Sequence, residues 1–306
     1  MLQPNQKQGA TALPDRVGDY RIESLIGEGA VGTVYRARRF DDPAGHVDAN
    51  HPSIVALKVL KPEATKQPHV LACFQFEARV LSRLLHRGIL RVYAAGMDDD
   101  LMYTAMELID GVSLDNVLAA NKRLTVPQVI DVAQQLAEAL DFLHSHGYVH
   151  RDVKPANLML TPEGRVVLFD FGTVVRIKDG APYEAGLYGT PAFLAPEQTV
   201  AGGKVDGRAD LYAAGIMLYL MATGRKPFYG SRSEVLAAHV RTPPPPPSKF
   251  ARMAPGLEAV ILKAIAKNPD DRFQTGAEFA RALADLPAPV NMSLATRLFG
   301  WLRLGR

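Results

Sequence analysis

His150-Arg151-Asp152-Val153-Lys154-Pro155-Ala156-Asn157, with Asp170-Phe171-Gly172 downstream, gathers two carboxylates, an ammonium and a carboxamide into a short span of chain. Taken singly, each piece has an ordinary reading: His150 as a core histidine, Asp152 as a turn residue, Asp170-Phe171-Gly172 as a hairpin corner. Two more motifs stand upstream. Gly27-Glu28-Gly29-Ala30-Val31-Gly32 follows the run Tyr20, Ile22, Leu25, Ile26 and precedes Thr33-Val34-Tyr35-Arg36-Ala37. A dinucleotide-binding glycine loop lies between a strand and a helix. Here a strand follows, so the loop reads as a flap between two strands whose bare N–H groups can close over phosphates; an ordinary glycine hairpin fits the same spelling. Val55-Ala56-Leu57-Lys58 then sets an ammonium among apolar neighbours, where an unpaired charge is costly, and Glu77 on the following helix is the available counter-charge. The ordinary readings suffice for any one motif. They fail for the set, whose order and spacing chance does not supply.

Outward from these motifs the chain changes character once. Residues 1–17 are polar and proline-punctuated and read as a flexible arm. Alternating strands follow, interrupted at 40–53 by turn-formers and charges that read as a loop or insertion. Ile54–Leu60 is an apolar strand, Val70–Leu85 a helix, and two further strand-like runs end at Met102–Leu108. Asp110-Gly111 breaks the pattern. Beyond it Pro127 opens a helix whose Val129, Val132, Ala133, Leu136, Leu140 and Leu143 share one face, and Gly147 stops it. Short strands surround Asn157–Leu160 and Val166–Phe169, another apolar helix covers Ala209–Thr223, and Pro243 to Pro247 reads as a polyproline spacer before the last helices, to Leu286. The expected class is α+β: a strand-rich first body (18–107) with one main helix, and a larger helical second body (110–286).

Composition is that of an ordinary globular protein, with 47% apolar and 22% charged residues. A net charge of +3 gives no steer toward nucleic acid. The single cysteine, Cys73, allows no internal disulfide and is expected to be a small buried thiol. The N-terminal residues lack the apolar core of a secretory signal, and no stretch reaches the roughly 18 apolar residues of a membrane span. A cytoplasmic location is the expectation.

As a set, these residues resemble the protein-kinase signature, from about Tyr20 to Leu286. Gly189-Thr190-Pro191-Ala192-Phe193-Leu194-Ala195-Pro196-Glu197 resembles the end of an activation segment, Asp210 with Gly215 the start of a buried central helix, and Arg272 the late arginine that pairs with Glu197. MELIDGVSL (106–114) and HRDVKPANLML (150–160) resemble most the bacterial, eukaryotic-like serine/threonine kinases. The resemblance implies a bilobal fold, ATP with Mg2+ (or Mn2+), and protein substrates, the kinase itself included. It assigns Asp152 to receiving or aiming the hydroxyl proton, Lys154 to the γ-phosphate, and Lys58, oriented by Glu77, to the α- and β-phosphates. Asn157 and Asp170 become metal ligands, Thr190 a brace for Asp152 and Lys154, and Gly27, Glu28, Gly29 and Gly32 the phosphate flap. Val34, Ala56 and Met159 would enclose adenine, with Glu107 and Ile109 reading its edge and Met106 as gatekeeper. Lys154-Pro155 implies serine/threonine over tyrosine specificity.

Two features depart from that pattern. Arg151 implies activation by a phosphate on the following loop, yet 173–189 offers only Thr173, Tyr183 and Tyr188. Glu184 as a permanent charge and a partner protein are the two alternatives, the first preferred. Beyond Pro287 and Pro289, residues 291–306 read as a basic amphipathic helix that could lie on a membrane surface, dock on a partner, or pack on the kinase body. Two rival functions stay open: an inactive scaffold on the same fold, against which Lys58, Asp152 and Asp170 stand, and a small-molecule kinase, against which Ala195-Pro196-Glu197 and the Asp210 helix stand. Oligomeric state is open.

Overall fold

The computed structural model describes residues 15–40, 52–177, 189–200 and 203–287. They form two compact units: one from the described parts of Met1–Ala78 with Val92–Leu108, the other from those of Arg79–Arg91 and Ile109–Arg306.

The first unit is an antiparallel sheet with a helix. Its strands are β1 (Arg16–Val17), β2 (Tyr20–Glu28), β3 (Gly32–Arg39), β4 (Ile54–Leu60), β5 (Val92–Asp98) and β6 (Leu101–Met106), in the order β1-β2-β3-β4-β6-β5. Strand alternation explains its two faces. Val55, Leu57 and Val59 of β4 join Val17, Tyr20, Ala37 and Ala105 in one buried cluster. The opposite face carries Ala56, Lys58 and Leu60, and Leu60 packs with Ala64 of α1 (Pro62–Thr65) and Phe74 of α2 (Pro68–Leu81). Lys58 therefore points to the helix side of a central strand, paired with Val34 and with Thr104. Arg16–Val17, at the end of the expected arm 1–17, form a strand paired with Tyr20–Arg21, while residues 1–14 lie outside the described residues. Cys73 is exposed, not buried. The buried positions of α2 in this stretch are Phe74, Glu77, Ala78, Val80 and Leu81; Phe74, Glu77, Ala78 and Leu81 are spaced as one helical stripe, and Cys73 falls off it.

The second unit is mostly helical. β7 (Val112–Ser113) and α3 (Leu114–Asn121) precede α4 (Val126–Ser145), β8 (Tyr148–Val149), β9 (Leu158–Leu160), β10 (Val166–Leu168) and β11 (Val175–Arg176); α5 (Gly207–Thr223), α6 (Arg232–Arg241), α7 (Pro255–Ala264) and α8 (Gly276–Ala284) complete it. At the start of α4 the Thr125 N–H donates to the Gln128 side chain at 2.9 Å. All six apolar residues expected on one face of α4 are buried, and Gly147 leaves the helix with φ +78°. α5 is buried almost all round, as befits a central helix. α8 packs on α4 so closely that a side chain at Gly276 would strike the Ala137 carbonyl. Two small sheets, β10-β9-β7 and β11-β8, hold the loops between α4 and α5. The prolines from 243 to 247 do lie between two helices, where the Tyr219 hydroxyl donates to the Pro245 carbonyl at 3.0 Å. Among the described residues no helix is long and apolar enough to cross a membrane.

Candidate active site

In the second unit the chain leaves β8 at His150 and turns at Arg151, whose φ of +70° lies in the left-handed region. Such a conformation costs about 1–3 kcal/mol unless its surroundings enforce it. Asp210, in the first turn of α5, supplies the enforcement. Its carboxylate accepts the N–H groups of His150 and Arg151, each at 2.8 Å, and lies 2.9 Å from the His144 ring nitrogen. Burial alone pushes the Asp210 pKa up, but the bonds from His144 and the His150 backbone prevail and hold it below the usual carboxylate range. His150 is fully buried with its ring 4.7 Å from that of Phe171. Burial lowers its pKa against the opposing pull of Asp210, Asp170 and Asp152.

Asp152 is held from every side. Its Oδ2 accepts Lys154 Nζ at 2.6 Å and Asn157 Nδ2 at 3.2 Å, while Oδ1 accepts the Thr190 N–H at 3.0 Å and the Thr190 hydroxyl at 3.2 Å. Four donors fill the roughly four lone-pair sites of an ionised carboxylate. Asn157 also donates to the Asp152 carbonyl at 3.0 Å, so its amide nitrogen is committed to Asp152. The Phe169 N–H meets the Asn157 carbonyl at 3.0 Å, which ties the neighbour of Asp170 to the same loop. Asp170 itself is exposed, at φ +63°. Gly189 at φ +106° allows Thr190 to reach Asp152, since a Cβ there would sit 2.9 Å from the Arg151 carbonyl. Thr173 donates its hydroxyl to the His150 carbonyl at 2.8 Å and accepts Arg151 Nε on its own carbonyl at 2.6 Å. Tyr183, Glu184 and Tyr188 lie outside the described residues, as does the tail 291–306.

Of the sequence-expected residues, the second unit thus brings Asp152, Lys154, Asn157 and Thr190 into direct contact. It also holds Ile109 and Met159, the latter half-buried on β9 opposite Ser113 and Val167. The anticipated pair forms at the end of the segment: Arg272 meets Glu197 through Nη1 to Oε1 at 2.7 Å and Nη2 to Oε2 at 2.8 Å. Two contributors were not read from the sequence. His144 carried no signal beyond its place in an amphipathic helix. The contacts of Thr173 with His150 and Arg151 depend on a chain reversal that no periodicity reports.

The first unit holds the remaining sequence-expected residues. Lys58 Nζ meets Glu77 Oε2 at 2.8 Å, both side chains largely enclosed, with the ammonium 5.7 Å from the Phe74 ring. The glycine flap turns between β2 and β3, where the Gly29 N–H donates to the Gly32 carbonyl at 2.9 Å. Gly32 is obligatory by close approach, because a Cβ would lie 2.8 Å from the Val59 carbonyl, whereas one at Gly27 would meet nothing within 4 Å. Glu28 is paired with Lys61 at 2.6 Å, and the Lys61 N–H donates to the Val31 carbonyl at 3.0 Å. Val34, Ala56, Met106 and Glu107 belong to this unit, Ala56 facing Met106 across the β4–β6 pairing.

Residues 20–281 match the family model of the protein kinase domain. The serine/threonine-protein kinase PknB of Mycolicibacterium smegmatis is 37% identical over 275 residues, 87% of this chain and 42% of PknB. PknJ of Mycobacterium tuberculosis is 37% identical over 274 residues, 87% of this chain and 45% of PknJ. The chain thus spans less than half the length of these curated relatives. Among solved structures, the kinase domain of Mycobacterium tuberculosis PknI is similar with a TM-score of 0.67 at 33% identity, over 90% of this chain and 99% of that one. With the Asp152 constellation and the Lys58–Glu77 pair beside these likenesses, the chain belongs to the protein kinase family, in its bacterial, eukaryotic-like serine/threonine branch.

Proposed function

We propose that this chain transfers the γ-phosphoryl group of ATP to serine and threonine hydroxyls of proteins, itself included. The observation that carries the reading is the set of four donors on Asp152 from Lys154, Asn157 and Thr190. A carboxylate so fixed can aim a hydroxyl and take its proton, an effect typically worth about 10²–10⁴ in rate. With its lone pairs filled, Asp152 gains a free one when Lys154 turns from it to the γ-phosphate. That exchange couples the arrival of nucleotide to the readiness of the base. Lys58, kept in place by Glu77, pairs with the α- and β-phosphates under the flap of Gly27, Glu28, Gly29 and Gly32. Val34, Ala56, Met106, Glu107, Ile109 and Met159 receive adenine.

The donors suit Mg2+, and Mn2+ meets the same set. Asn157 offers an amide oxygen and Asp170 an exposed carboxylate, both hard ligands. A small cation of this kind keeps waters and phosphate oxygens as its other ligands. When bound, the ion neutralises charge on the phosphates. Thr190 with Lys154-Pro155 supports serine/threonine acceptors. A cytoplasmic site of action, with 291–306 resting on the inner membrane surface or a partner, completes the reading; vesicle flotation of the chain against a 1–286 truncation separates those two.

The test is transfer of labelled phosphate from ATP to generic protein substrates and to the chain itself, followed by phosphoamino-acid analysis. Phosphoserine and phosphothreonine are expected, with loss of signal in Asp152→Ala and in Asp170→Ala. Near-normal turnover in either variant would overturn the assignment.

A further inference from the structure

From Gly224 to Arg252 the chain carries Arg225, Lys226, Arg232, Arg241, Lys249 and Arg252 against one acidic residue, Glu234. Three of these cations are seated on aromatic rings. The Arg225 guanidinium lies 5.5 Å from the Tyr229 ring and 4.3 Å from the Phe250 ring, Lys249 Nζ lies 5.9 Å from Phe250, and Lys226 Nζ lies 5.8 Å from Phe193. The Lys226 N–H donates to the Tyr229 hydroxyl at 3.0 Å, which fixes the turn bearing Arg225 and Lys226. Elsewhere in this unit Lys154, Arg208, Lys263 and Arg272 all have carboxylate partners. Among the described residues Arg225, Lys226 and Lys249 have none. The nearby carboxylates are engaged otherwise, Glu234 accepting the Ser231 N–H at 2.7 Å and Glu258 the Ser248 N–H at 2.6 Å.

The location gives these cations a purpose. Phe193, beneath Lys226, is three residues beyond Thr190, which touches the Asp152 carboxylate. Pro191–Phe193 form a 3₁₀ turn that rises about 2 Å per residue, so Phe193 lies roughly 6 Å along the chain from Thr190. The Lys226 ammonium, 5.8 Å from the Phe193 ring, therefore stands within about four residues' reach of the acceptor hydroxyl on an extended peptide. Cations held on ring faces lose little freedom on binding a partner, and cations without intramolecular partners are open to external anions. On the kinase reading given above, we propose that Arg225, Lys226 and Lys249 form a cationic strip that selects substrate segments with aspartate or glutamate within about four residues of the phosphoacceptor. The strip specifies an acidic peptide class and leaves the chemistry at Asp152 untouched.

The experiment compares the full chain on a serine peptide flanked by neutral residues and on its glutamate-flanked counterparts, scanned position by position on both sides. Two to three exposed ion pairs of about 0.5 kcal/mol each amount to a preference of about fivefold to tenfold in kcat/KM for the acidic peptide. Arg225→Ala with Lys226→Ala reduces that preference to within about twofold and spares turnover of the neutral peptide, Lys226→Arg preserves it, and Lys226→Glu shifts it toward basic flanks. A wild-type chain indifferent to acidic flanks, or a double variant that keeps the preference, overturns the proposal. Anisotropy titration of the labelled acidic peptide runs in parallel without ATP. A chain that phosphorylates nothing yet binds the acidic peptide more tightly than the neutral one, with the difference lost in the double variant, sinks the kinase reading and upholds the strip. Equal binding of the two peptides sinks the strip alone.

Discussion

Arg272 and Glu197 form a bidentate pair with the guanidinium wholly enclosed. The remaining donors of Arg272 are also satisfied: Nε by the Ala266 carbonyl at 2.7 Å, Nη1 by Arg208 at 3.2 Å and Nη2 by Lys267 at 2.9 Å. A planar fork of five N–H groups meets five acceptors, and an ammonium has no such geometry. Removing one partner of a buried pair leaves the other charge uncompensated, at about 3–5 kcal/mol. Arg272→Lys and Glu197→Gln are therefore both expected to lower the urea midpoint strongly, and the lysine variant is expected to recover little of what an alanine loses. A lysine variant as stable as the parent would show that the fork is not what anchors this segment.

How much of this was legible beforehand differs from contact to contact. The Lys58–Glu77 pair was, because an ammonium on an apolar strand needs a counter-charge; the Arg272–Glu197 pair was legible only through the resemblance to the kinase signature. The face of α4 was, because its apolar residues repeat at helical spacing. Cys73 was misread, since residue type said buried while its helical position, one step from Phe74, said exposed. The strand Arg16–Val17 is too short to carry periodicity and exists only because β2 offers it an edge. The hold of His144 on Asp210 was invisible for another reason. It joins two helices distant in sequence, and the one acidic residue of the largely apolar α5 was the sole hint that something must meet it.

Asp210 itself yields the second prediction. Asp210→Asn removes the charge that receives two backbone N–H groups and turns an –NH₂ toward one of them. Hydrogen bonds to charged groups contribute about 1.5–3 kcal/mol each, and the left-handed Arg151 depends on them. Loss of about 2–4 kcal/mol of stability is expected, together with a fall in kcat larger than any rise in KM for ATP, because the displaced loop carries Asp152. Full activity in the asparagine variant would mean that Arg151 keeps its conformation without that carboxylate.

Gly32 and Gly27 separate a packing need from a ligand need. Gly32→Ala forces a methyl to within 2.8 Å of the Val59 carbonyl, across the β3–β4 pairing, whereas Gly27→Ala meets open space. Overpacking of this kind costs about 1–3 kcal/mol. Gly32→Ala is expected to destabilise the ligand-free chain while Gly27→Ala leaves it unchanged, and both are expected to raise KM for ATP if the flap closes over phosphates. Equal stabilities for the two variants would remove the close-approach argument.

His239 sets a pH dependence with a definite sign. Its ring is buried, accepts or donates a bond to the Tyr212 hydroxyl at 2.8 Å and stacks edge-on against Phe228. Burial and then the charge of Lys267, whose ammonium donates to the His239 carbonyl at 2.7 Å, lower its pKa to about 4 from the ordinary 6.5. Between those values the unfolded chain binds a proton that the folded chain refuses, so unfolding is favoured as pH falls from 6.5 toward 4. Refusing one proton costs about 1.4 kcal/mol for every pH unit crossed, which bounds the effect at about 3 kcal/mol across the window. The lowered pKa of His150 acts in the same direction. Urea unfolding at a series of pH values is expected to give a shallower acid decline for His239→Gln than for the parent, by close to one proton. Parallel profiles would mean that this histidine takes up its proton without unfolding.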